Sequence, residues 1–135
     1  MALLTPEQAV CERLKEVTAV TDLLGAKIFP EAPTQGTELP YAVYSRTDSE
    51  TSQTLKPAPT TRVTQYGIDV EIYAKTKVEL HAVGVAVAAA LQGWKDMAKG
   101  VQGCFQKDSS TREDVEEGVE NITISFALFQ KPVTV

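Results

Sequence analysis

Residues 62–94 read RVTQYGIDVEIYAKTKVELHAVGVAVAAALQGW, and the two halves of this stretch follow different periods. In the first half Tyr66, Ile68, Val70, Ile72 and Ala74 occupy alternate positions, with polar Gln65, Asp69 and Glu71 between them. A period of two is expected of a strand with one buried face and one wet face, so a strand is predicted over about 62–74. In the second half Thr76-Lys77-Val78-Glu79 has the form of a capping box, in which hydroxyl and carboxylate satisfy the first free N–H groups of a helix. A helix is predicted over about 77–92, with Gly93 as its stop.

On that helix Leu80, Val83, Gly84, Val87, Leu91 and Trp94 recur at threes and fours and form the stripe that should lie on the sheet. Val78, Ala82, Val85 and Ala89 form a second stripe roughly opposite, which leaves Lys77, Glu79, His81 and Gln92 as the clearly polar side chains. A helix apolar on two sides needs two coverings. The first helix, predicted over about 6–17 behind the capping box Thr5-Pro6-Glu7-Gln8, offers Val10, Leu14 and Val17 as the second cover.

Outward from this unit, Thr21 to Gly25 reads as a short helical turn ended by glycine, and Lys27-Ile28-Phe29 as a short strand before Pro30. PEAPTQGTELP, residues 30–40, is a loop or edge, and YAVYSR, residues 41–46, is the next strand. From Asp48 to Thr61 the chain is polar and rich in Ser, Thr and Pro, a long connection that is either a solvated loop or a contact arm. A C-terminal hairpin is predicted over about 101–129. Val101 and Phe105 are expected to face the core on its first strand, and Ile122, Ile124, Phe126 and Leu128 on its second; residues 131–135 read as a tail.

The chain of 135 residues is expected to form one α+β domain, 1–135, with an antiparallel or mixed sheet of four to five strands and two main helices on one face. It has no apolar run of membrane-spanning length and no signal-peptide pattern at its start, so synthesis in the cytosol without membrane association is expected. The net charge of −5 repels phosphate backbones and argues against specific nucleic-acid binding. The two cysteines, Cys11 and Cys104, fit no zinc or disulfide pattern and read as buried free thiols.

Catalytic constellations are thin. His81 is the single histidine, so every His-dependent triad or dyad must pass through it. The carboxylates between Glu113 and Glu120 lack the spacing of a divalent-cation loop and read as a solvated hairpin connection. No catalytic residue, cofactor or metal ligand is expected; a small metal-dependent enzyme using His81 and these carboxylates is the competing reading.

The order of features resembles that of the tail terminator, or tail-completion and tail-to-head joining, proteins of long-tailed phages and prophages. The resemblance rests on Val20 to Pro30 (VTDLLGAKIFP) and Gln35 to Tyr44 (QGTELPYAVY), followed by a loop, the alternating strand and the helix. It implies a virion protein that caps the tail tube as a ring of six copies, ends its polymerisation and joins it to the head. The partners implied are its own copies, the major tail-tube protein and a head-side connector, with DNA passing through the ring. Another neck subunit of similar size is the alternative within the same class. Unpaired edges and long arms invite contacts between subunits, so Tyr44, Arg46, Glu50, Thr54, Leu55, Lys56, Pro57 and Arg62 are the expected interface.

Overall fold

The computed structural model describes residues 4–30, 37–51, 63–111 and 118–131, with backbone only for residues 48–51. The elements are α1 (Pro6–Glu16), α2 (Thr18–Leu24), β1 (Ile28–Phe29), β2 (Tyr41–Thr51), β3 (Thr64–Ala74), α3 (Lys77–Leu91), a 3-10 turn (Met97–Lys99), β4 (Val101–Ser110) and β5 (Glu120–Gln130). The fold is α+β, built on a mixed five-stranded sheet in the order β1-β2-β3-β5-β4. All pairs are antiparallel except the short parallel β1–β2 pair.

Strand β3 sits at the centre and buries Ile68, Val70, Ile72 and Ala74 completely. Its neighbour β5 presents Ile124, Phe126 and Leu128 to the same face. Above them α3 lays down Leu80, Val83, Gly84, Val87 and Leu91, with Trp94 beyond its end. The capping box at Thr5 forms in full, with Thr5 Oγ1 accepting from the Gln8 N–H at 3.1 Å and Gln8 Oε1 accepting from the Thr5 N–H at 2.9 Å; at Thr76 the hydroxyl half of the expected box forms, Thr76 Oγ1 accepting from the Glu79 N–H at 3.1 Å. The Glu79 carboxylate turns back to accept the Lys75 N–H at 3.2 Å.

Three expectations are corrected. The connection expected from Asp48 is in part strand, because β2 runs on to Thr51 and pairs with β3 down to Thr51–Thr64. Ladder pairing needs backbone groups and makes no demand for apolar side chains, so a polar sequence gave no sign of it; a register shift between Arg46 and Asp48 also breaks the alternation. On β4 the buried residue is Cys104, while Phe105 is 46% exposed. Gln102 is an extra residue in the ladder, and it turns Gly103 and Phe105 away from the face that Val101 shares with Cys104.

The third correction concerns α1. Val10 and Leu14 are fully buried and Val17 is half-buried, yet α1 lies along the flank of α3 and does not roof its second stripe. The Arg13 Nε–H donates to the Ala90 carbonyl at 2.9 Å, and the guanidinium stands 5.8 Å from the Trp94 ring centroid. Lys99 Nζ reaches Glu16 at 3.0 Å and Glu12 and Asp96 at 3.5 Å, tying α1 to the 3-10 turn. Val78 and Val85 therefore remain 82% and 54% exposed, with Ala82 and Ala89 exposed beside them.

Candidate functional site

The residues expected at an interface fall into three groups. Tyr44 is buried in the core, and burial pushes its phenol pKa up. Arg46 is on the surface but occupied: its guanidinium grips both Glu7 carboxylate oxygens, Nη2 to Oε2 at 2.9 Å, and lies 5.1 Å from the Tyr66 ring centroid. This fork fastens the start of α1 to β2 and β3. The Glu50 side chain, and Thr54, Leu55, Lys56, Pro57 and Arg62, lie outside the described residues, as do Glu113 to Glu117 of the acidic connection.

The structure instead places apolar surface on two opposite sides. One side is the outward stripe of α3, continuous with a groove of about 320 Å3 whose lining includes Leu80, His81, Gly84, Val85, Ile122 and Ile124. Just beyond the C-terminal end of α3 the chain is tied to β4. There Gly93 N–H donates to the Cys104 carbonyl at 2.7 Å and Gln106 N–H donates to Gln92 Oε1 at 2.6 Å. Lys77 and His81 stand exposed at the rim, with Lys75 just before the helix.

The other side is the face of the sheet turned away from the helices. Tyr41 and Tyr73 stack there with centroids 4.9 Å apart, Phe29 meets Tyr41 edge-on, and Phe105 meets Phe129 edge-on at 6.2 Å. Between these groups lie Val43, Asp69, Glu71, Thr123 and Ser125. Tyr73 Oη donates to Glu71 and Ser125 Oγ donates to Asp69, both at 2.8 Å. At the end of this face buried Asn121 donates through Nδ2 to the Ile72 carbonyl at 3.2 Å, and its Oδ1 has no partner among the described residues.

None of this is catalytic geometry. Among the described residues no three His, Cys, Asp or Glu side chains converge as metal ligands, and no helix is long and apolar enough to cross a membrane. Cys11 and Cys104 are free, and burial pushes the Cys104 thiol pKa up to about 12, far from a reactive thiolate. What the arrangement offers is an exposed apolar stripe on α3 beside an open groove.

The profile of the family described as "Tail completion protein gp17" matches residues 8–130. The chain belongs to this tail completion protein family. Its members are structural proteins of phage tails, which is not an enzyme class, and the chain is accordingly a virion component. A chain in a solved structure titled "Virion of native gene transfer agent (GTA) particle" superposes with a TM-score of 0.62 over 90% of this chain and 91% of that one. At 15% identity the likeness speaks of the fold alone. Comparison with curated proteins finds no match.

The strand-then-helix unit was legible in residues 62–94, whereas the outward sheet face was not. Tyr41, Tyr73, Phe105 and Phe129 are scattered over four strands, and only the register brings them to one face.

Proposed function

We propose that the protein caps the tail tube as a ring of six copies, ends polymerisation of the tube and offers the joining surface to a head-side connector. The observation that carries this reading is membership of the tail completion family over residues 8–130. Its physical support is the outward stripe of α3. Val78 at 82% exposure and Val85 at 54% leave a contiguous apolar surface of the kind that marks a protein contact. The net charge of −5 suits a passage through which DNA slides without sticking, because like charge repels the backbone.

The partners are further copies of this chain, the tail-tube protein and the connector. Residues 52–62, which link the ends of β2 and β3, act as the contact arm in this reading. Replacing residues 53–61 by a two-residue Asn-Gly turn should then abolish capping while the monomer stays folded.

The test is to polymerise tail-tube protein with and without this chain and to measure tube lengths by negative-stain microscopy, with native mass spectrometry counting the copies. Shorter tubes bearing a terminal ring are expected. Tubes that grow unchanged, with the protein monomeric beside them, would overturn the proposal. Binding to the connector but not to the tube would reassign the protein as a neck subunit.

A further inference from the structure

The open groove beside α3 raises the question of what fills it. We propose that in the ring the arm of one copy fills the groove of the next, with Leu55 as the anchor. The proposal rests on the ring reading and says which parts join neighbouring copies.

Three observations carry it. The first is the groove itself. Leu80, Gly84, Val85, Ile122 and Ile124 line it, Val85 is 54% exposed at its edge, and its volume is about 320 Å3. That is the small end of the range for ligand pockets, roughly 300–1,000 Å3, and it takes a few side chains. A helix, about 10–12 Å across, is too thick for such a space.

The second is the sequence of the arm. From Thr47 to Arg62 the chain reads TDSETSQTLKPAPTTR, and Leu55 is its only large apolar residue. A leucine standing alone among polar residues has apolar surface to bury, and the groove offers apolar walls. Pro57 and Pro59 follow it closely, and their fixed φ reduces the freedom lost when such a stretch is held in place.

The third is reach, which decides between a copy's own groove and its neighbour's. The arm leaves β2 at Thr51, opposite Thr64 of β3. Leu55 comes four residues later, so its backbone stands at most about 14 Å from Thr51. Ile124 in the groove pairs with Val70, six residues along β3 from Thr64, or roughly 20 Å up the strand. It also lies two strands across from β2, a further offset of about 10 Å. Leu55 therefore falls short of the groove in its own chain. In the order β1-β2-β3-β5-β4 the arm leaves from β2, whereas the groove is bounded by Gln106 and Ser109 of β4, at the opposite flank of the sheet. A contact from one flank of a copy to the other flank of the next is heterologous, and it closes into a ring when its rotation permits.

Disulfide trapping tests the contact. The variants Leu55→Cys in the arm and Val85→Cys at the groove are oxidised separately and as an equimolar mixture under capping conditions, with the wild-type protein as control for the native thiols. A covalent dimer in the mixture alone, and a ladder up to the full ring from a chain carrying both changes, are expected. A dimer from Val85→Cys by itself would mean that two α3 helices meet, and one from Leu55→Cys by itself that two arms meet. A link within a single chain of the double variant would mean that the arm fills its own groove. Each of these results, or no link in a mixture that forms rings, would overturn the exchange of arms and leave the ring standing. Absence of any ring from the wild-type protein, with or without tubes, would overturn the ring reading itself. As a second readout, Leu55→Asp should leave the melting of the monomer unchanged and lower assembly at least about tenfold, as expected when a charge is forced into an apolar recess. Unchanged assembly, or a monomer that melts lower, would take Leu55 out of the contact between copies.

Discussion

Helix α3 carries two apolar stripes, an inner one of Leu and Val and an outer one of Val and Ala. On one, Leu80, Val83, Val87 and Leu91 are all buried; on the other, Val78 and Val85 stand at 82% and 54% exposed. The inner stripe has leucines where the outer has alanines, but both are apolar, and which one is covered was decided by what the rest of the chain can reach. The sheet reaches the inner stripe, because the turn at Lys75-Thr76 folds the helix back onto β3 and β5. Helix α1 does not reach the outer one, because Arg13, Glu12 and Glu16 hold it against Ala90, Trp94 and Lys99 on the flank. Apolarity on a helix thus reports that a surface will be covered, and leaves open whether its own chain or another provides the cover.

Substitutions on the two stripes test this contrast. Leu91→Ala on the inner stripe should lower the unfolding free energy by about 2–5 kcal/mol in chemical denaturation, since it removes a fully buried side chain. A loss below about 1 kcal/mol would take Leu91 out of the core. Thr76→Ala removes the hydroxyl that caps the start of both stripes and should cost about 1 kcal/mol in the same measurement. Gly84→Ala should stabilise by roughly 0.5–1 kcal/mol, because its Cβ would meet only Ile124 Cδ1, at 3.9 Å, and alanine suits a helix better. A destabilising result would mean that helix and sheet approach too closely there to admit a methyl group.

The smaller effects concern the anchoring of α1. The hydrogen bond from Arg46 holds the Glu7 carboxyl below its ordinary pKa, burial works in the opposite direction, and the Arg46 charge lowers it further. Because the folded value is the depressed one, this pair stabilises the fold above the unfolded carboxyl pKa of about 4.3, and the contribution disappears as pH falls through the folded value. Glu7 and Arg46 are both solvent-facing, so the contribution should stay below about 1 kcal/mol. The difference in melting between wild type and Glu7→Gln should accordingly vanish in acid, and a difference that persists at low pH would assign it to packing. Smallest of all, Val85→Ala should change monomer stability by less than about 0.5 kcal/mol, the range of exposed substitutions. A larger loss would mean that the outer stripe is covered within the monomer.

Much of the fold could be read along the chain, and the reasons are local. The alternation from Tyr66 to Ala74, the hydroxyl cap of Thr76 and the 3.6-period stripe through Leu91 each depend on neighbours within a few residues, and each forms as expected, although the Glu79 carboxylate accepts from the Lys75 N–H and so leaves the capping box half made. The expectations that needed correction involve partners far away in sequence. The burial of Cys104 in place of Phe105 follows from one extra residue against β5, and the strand character of residues 48–51 follows from pairing with Thr64 to Gly67. The candidate surfaces were legible by halves. Val78, Ala82, Val85 and Ala89 were visible as a surplus stripe, while the aromatic sheet face appears only once four strands are in register.

Neighbouring residues were enough to specify the elements, their order and the presence of one apolar stripe more than the sheet could use. Helical and strand periods are properties of consecutive residues, and capping depends on side chains three positions apart. Which stripe stays open, and what faces away from it, was set by packing across the whole chain. Coverage is a matter of reach, fixed here by one arginine hydrogen bond across 77 residues and a lysine shared by three carboxylates. No local pattern encodes where those long-range ties will pin a helix.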